Sequence, residues 1–139
     1  MDNNAILQAD FHSLKKDLYR WAKQNLRGTT VLNKQTGNII GISTQGIDEW
    51  YSKSKSEAQI RSIKKLVEIL ANATKTHESP NVHSDRKNAP SFEYYECPIE
   101  IQEKEYKAVV SVKLIVTEKN GRRIYYHHYL DEKKSRPQL

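Results

Sequence analysis

The sequence predicts an α+β domain in which N-terminal helices pack on a four- to five-stranded antiparallel sheet. Three observations predict it. In the first half of the chain, apolar residues recur at three- and four-residue steps over two segments, the spacing of a helix face. From Ser91 onward the pattern switches to β-rich runs with period-two alternation. The connectors between those runs are shorter than the dozen or so residues a parallel crossover needs, so neighbouring strands are expected to be antiparallel. A chain of 139 residues suits one domain, spanning 1–139.

Residues 5–26 form the first expected helix, with Leu7, Phe11, Leu14, Leu18, Trp21, Ala22 and Leu26 on one stripe and Gly28 placed as a C-terminal cap. Its other face carries Lys15, Lys16, Arg20 and Lys23, expected in solvent. In the segment 29–43, two β-rich runs, Thr29–Leu32 and Asn38–Ile42, flank the turn-rich "NKQTG", which predicts a hairpin. "TQGIDEWY" can begin a short helix. Residues 56–71 then give the clearest helix. Ser56 and Gln59 fit a capping box, and Ile60, Ile63, Leu66, Val67 and Leu70 form the buried stripe. Residues 72–90, "NATKTHESPNVHSDRKNAP", are rich in Asn, Ser, Pro and charge and read as a long loop. His77 and His83 lie there without carboxylate or thiolate partners at ligand spacing, so no metal site is expected.

Residues 91–130 hold three strands, "SFEYYECPIEI", "EYKAVVSVKLIVT" and "RRIYYHHYL", joined by the turn-like "QEKE" and "EKNG". In the middle strand Tyr106, Ala108, Val110, Val112, Leu114 and Val116 share an apolar face. Lys107, Val109, Ser111, Lys113, Ile115 and Thr117 share the other, which can meet water or a ligand. Residues 131–139 read as a frayed tail.

Lys and Arg number 23 against 17 Asp and Glu, a formal net charge of +6, so polyanions are admissible partners: nucleic acid, an anionic membrane surface or an acidic protein. The single cysteine, Cys97, excludes an intrachain disulfide and a Cys-based zinc cluster. It is expected to be a small, partly buried strand residue. The N-terminus lacks a basic lead followed by an apolar run, and no stretch approaches the roughly 18 apolar residues of a membrane span. No cofactor is expected.

The motifs "WAKQNLRGTTVLNKQTG", "IGISTQGI", "LVEILANA", "FEYYECPIEIQEKEYKAVVSVKLIV" and "NGRRIYYHHYLDE" follow one another over about residues 19–132. In that order they resemble the barnase–EndoU–colicin–RelE-like nuclease class, in the branch found in large polyvalent phage proteins and polymorphic toxin C-termini. The resemblance implies helices on an antiparallel sheet with RNA across its open face. It also implies metal-independent cleavage of cellular RNA, often tRNA, by a toxin or effector acting in the cytoplasm. An acidic immunity or antitoxin protein is then an expected partner class. The family ending, a Tyr, one residue and a His, is matched by Tyr126 and His128. "STQGI" keeps the Gly46–Ile47 pair and lacks the basic residues that often precede it.

Metal-independent cleavage needs a base for the 2′-OH, an acid for the leaving oxygen and cations for the charge developing on phosphate. Imidazole suits both proton roles near neutral pH. Strand alternation puts Tyr126 and His128 on one face and Tyr125, His127 and Tyr129 on the other; periodicity does not say which face is buried. The resemblance selects Tyr126 and His128 as catalytic; charge assistance is expected from Lys113 on the adjacent strand and from Arg122 or Arg123 at the strand entry, with Arg123 placed in the catalytic set. Arg122, His127, Ser111 and Ser43 are candidates for substrate contacts. The alternative is a non-catalytic nucleic-acid- or protein-binding module on the same fold.

Overall fold

In the computed structural model, which describes residues 3–79, 91–115 and 121–132 (backbone alone for 3–9), helix α1 (Asn3–Asn25) leads into the expected hairpin, β1 (Thr30–Leu32) and β2 (Ile39–Ile42). Helices α2 (Thr44–Lys53) and α3 (Glu57–Arg61), a 3-10 turn (Ser62–Lys65) and α4 (Leu66–Asn72) follow. The remaining strands are β3 (Thr74–Ser79), β4 (Ser91–Ile101), β5 (Lys104–Ile115) and β6 (Arg122–Glu132). Residues 80–90, 116–120 and 133–139 lie outside the described residues. They hold His83 with the rest of the expected loop, the body of the "EKNG" turn, and the tail.

The class is α+β, but the sheet has six strands, in the order β1-β2-β6-β5-β4-β3, and it is mixed. Short turns do make β4, β5 and β6 antiparallel, whereas β2 pairs β6 in parallel through Ile40–Arg123, Gly41–Ile124 and Ile42–Tyr125. All the intervening elements separate those two strands in sequence, so connector length sets no direction there. The sixth strand is β3, inside the segment expected to be loop. It lies at the sheet edge with mostly exposed side chains, so its sequence "TKTHES" carries no burial pattern to betray it.

The described helices cover one face. In β4 and β5 every buried residue has the same parity: Glu93, Tyr95, Cys97, Ile99 and Ile101, then Ala108, Val110 and Val112. Against them pack Leu18 and Ala22 of α1, Leu26 in the turn after it, Ile47 and Trp50 of α2, and Ile60, Ile63, Leu66, Ile69 and Leu70. The expected 56–71 helix is interrupted by the 3-10 turn, which advances three residues per turn rather than 3.6. That phase change buries Ile69 and leaves Val67 46% exposed, although Val67 was expected on the core stripe.

Half of the capping box forms. The Ser56 hydroxyl oxygen accepts from the Gln59 amide at 3.1 Å. The Gln59 side chain does not return the favour; it donates to the His128 carbonyl at 2.7 Å and accepts from the Leu130 amide at 3.1 Å. An amide side chain thus completes the edge of β6 beyond the point where β2 ends. Lys15, expected in solvent, is half-buried and donates to the Ser54 carbonyl at 3.1 Å.

Candidate functional site

The final strand does not alternate as its sequence suggests. Ser111 pairs His127 while Val112 pairs Tyr125, leaving Tyr126 as the extra residue of a β-bulge. A bulge inserts one residue against the partner strand, so side chains beyond it change phase. Tyr125 and His128 therefore both turn to the helix-covered face and are fully buried. Tyr126 and His127 lie between them, partly exposed. The expectation that Tyr126 and His128 share one open face does not hold, because period two fails at the bulge.

His128 sits in a closed hydrogen-bond chain. The Ser62 hydroxyl donates to the Gln59 carbonyl at 2.6 Å. With that proton committed, Ser62 Oγ accepts from His128 Nε2–H at 2.6 Å, and Nδ1 is left to accept the Tyr125 hydroxyl at 2.5 Å. The reverse orientation would set two oxygen lone pairs 2.6 Å apart at Gln59. Burial, and then the neighbouring His127, lower the His128 pKa to about 3, and burial raises that of Tyr125 well above its usual value. Every polar atom of the imidazole is satisfied while it is neutral. Its one lone pair faces Tyr125, so no acceptor is turned toward solvent.

The face of the sheet that the described helices leave uncovered gathers the other candidates. Strand register draws two rows across it. One runs Ser79–Phe92–Lys113–Ile124–Gly41–Thr30 through all six strands. The second runs His77–Tyr94–Ser111–His127, with Tyr126 beside it at the bulge. The His77 and Tyr94 rings stack at 4.4 Å and 15°, Phe92 meets Tyr126 edge-on at 5.4 Å, and Lys53 Nζ lies 5.9 Å from the Tyr126 centroid. Tyr129, 46% exposed, extends the set along β6. His127 keeps an Nδ1 that is out of contact with solvent and has no hydrogen-bond partner among the described residues. Burial, then Lys53, lower its pKa, with Glu49 opposing.

Arg123 is not in this group. It faces the other side and grips Glu93 through Nε at 2.7 Å and Nη2 at 3.2 Å. Lys75 reaches the same carboxylate at 3.1 Å and also pairs with Glu78. Burial alone would raise the Glu93 pKa; Arg123 and Lys75 outweigh it and hold the carboxyl below its ordinary range. Arg123 is thus committed to a buried ion pair, and assistance beside Lys113 does not fall to it. Arg122 and Ser43 line a hollow of about 430 Å³ at the β1–β2–β6 end of the sheet. Ser43 is the N-cap of α2 and makes no side-chain capping bond.

Of the expected set, the structure brings together Lys113, Ser111, Tyr126 and His127, and places His128 and Arg123 on the opposite face. Phe92 and Tyr94 are not singled out by the sequence, and His77 is weighed there only as a metal ligand. The same-phase aromatics of "SFEYY" were the available signal, but nothing local assigns a face to β4. No group of three or more His, Cys, Asp or Glu able to hold a metal occurs among the described residues.

The family model of large polyvalent protein-associated domain 3 matches residues 9–125, and the chain belongs to that family. No curated protein and no solved structure matches.

Proposed function

We propose, proceeding from membership of the large polyvalent protein-associated domain 3 family, that this chain is a nucleic-acid-binding module of a larger phage protein. It holds a single strand across the uncovered face of its sheet. The observation that carries this is the pair of cross-strand rows, where Phe92, Tyr94, His77 and Tyr126 offer ring faces and Lys113 offers charge. Unpaired bases stack on such rings whatever their sequence, and backbone phosphates supply salt-sensitive attraction. The +6 net charge favours the encounter. The test is anisotropy of a labelled single-stranded RNA over a salt series. Wild-type protein binds, and Phe92→Ala with Tyr94→Ala weakens binding about tenfold or more. An RNA ignored even at low salt contradicts the reading. Displacement of bound RNA by an acidic protein would mark an inhibitor-like partner on the same cations.

A second reading, metal-independent ribonuclease, draws support from His127 alone. Its half-buried imidazole is biased toward the neutral form and lies beside Ser111 and Tyr126 on the face that would hold the strand. In this reading His127, rather than His128, exchanges protons with the 2′-OH and the leaving oxygen, and Lys113 faces the phosphate. Incubation of total RNA in EDTA followed by mapping of cut ends tests it. Cleavage lost in His127→Ala supports it; RNA left whole by the wild type rejects it.

A further inference from the structure

We infer that this sheet face selects RNA over DNA, with Ser111 and His127 holding the ribose 2′-hydroxyl of a nucleotide whose base stacks on Tyr94. This rests on the sheet-face reading above and names the sugar that the face takes. Tyr94 of β4 pairs Ser111 of β5, and Ser111 pairs His127 of β6, so a ring and two polar side chains stand side by side in one row. Neighbouring strands lie about 5 Å apart, within the reach from a base to its own ribose. A base on Tyr94 thus sets its sugar over the polar pair, and Tyr126 closes the row beside His127 at the bulge.

The two polar side chains have bonding capacity to spare. Among the described residues Ser111 makes no side-chain hydrogen bond. The Nδ1 of His127 is out of contact with solvent and has no partner there, which leaves Nε2 as the nitrogen for a ligand. The sealed face offers a contrast. There the neighbouring His128 has both ring nitrogens engaged, by the hydroxyls of Ser62 and Tyr125. On the other face an imidazole and a serine hydroxyl stand together again, and the further hydroxyl has to come from outside.

A ribose 2′-hydroxyl fits what is missing. A neutral imidazole presents Nε2 as donor or acceptor according to its tautomer, and a serine hydroxyl acts as both. The 2′-hydroxyl also donates and accepts, so it can bridge the pair with either tautomer. A strand lying across this row takes water away from Ser111 and His127. Deoxyribose returns nothing for that water, and a polar atom sealed without a partner costs more than an ordinary hydrogen bond gains. The preference therefore arises as much from a penalty on DNA as from attraction to RNA.

The experiment measures anisotropy of labelled oligouridine, oligodeoxyuridine and 2′-O-methyl oligouridine of equal length at low salt, so that base and charge stay constant. The wild type binds oligouridine about tenfold more tightly than either analogue. Ser111→Ala with His127→Phe, which keeps a ring at 127, brings that ratio to near one. Melting curves report the fold, and Ser111→Ala alone, which lowers the ratio part of the way, serves should the double variant fail to fold. An RNA preference undiminished in both variants overturns the inference. If the wild type binds all three alike and Phe92→Ala with Tyr94→Ala loses all three, the 2′-hydroxyl contact is rejected and the sheet face stands. If the wild type binds none of them, both readings fall.

Discussion

A methyl group on Gly46 would lie 2.5 Å from the Tyr125 carbonyl oxygen and 2.7 Å from the Tyr125 ring, so α2 can rest on β6 only if that position is bare. Gly46→Ala is expected to push the helix off the strand and cost about 1–3 kcal/mol, read as a lower urea midpoint; an unchanged midpoint would show that the contact yields freely. The "STQGI" glycine was visible in the sequence, whereas its reason lies in a strand almost eighty residues away. His128 was visible too, and its burial was not, because the partners that enclose it, Ser62 and Tyr125, are brought to it by tertiary packing. Its folded pKa of about 3 lies below the ordinary 6.5, so the unfolded chain takes up its proton first. This histidine's contribution to stability is therefore complete above pH 6.5 and lost progressively as pH falls toward 3. His128→Gln should be less stable at neutral pH and should flatten the decline between pH 6 and 4. Parallel pH profiles for the two proteins would contradict a buried neutral imidazole.

Periodicity was informative where an element has one buried face and continuous geometry. The middle strand β5 alternates as its sequence predicts, with Ala108, Val110 and Val112 buried. It misled where geometry breaks. The 3-10 turn shifted the phase of the 56–71 helix, and the β6 bulge did the same to the tyrosine–histidine run; neither has a Gly or Pro to announce it. The β4–β5 connection was read as a turn, though its central residues, Gln102 and Glu103, adopt φ of 51° and 68°, a conformation that favours Asn and Gly. Gln102→Asn with Glu103→Gly should relieve that strain and stabilise the hairpin by about 1 kcal/mol or somewhat more, measured as a raised melting temperature. A fall would mean that the two side chains contribute contacts outweighing their backbone cost.

Across the whole molecule, helices seal one face of the sheet and leave the other with rings, hydroxyls and lysines, a division the charge and the β5 pattern already suggested. Which residues of β4 and β6 belong to the open face depended on register, and register is a property of the assembled sheet. Lys113, at the centre of the six-strand row, should contribute to binding through phosphate: Lys113→Ala is expected to reduce the slope of log affinity against log salt by about 0.7 for a single strand. An unaltered slope would place the backbone elsewhere. The most direct measurement of the central claim is NMR of the aromatic rings while single-stranded RNA is added. Phe92, Tyr94, Tyr126 and Tyr129 should shift upfield as bases stack on them, with Tyr95, Tyr125 and Trp50 on the sealed side unmoved. Shifts confined to the helix-side rings Tyr19, Trp21 and Tyr51, or none at all, would contradict it.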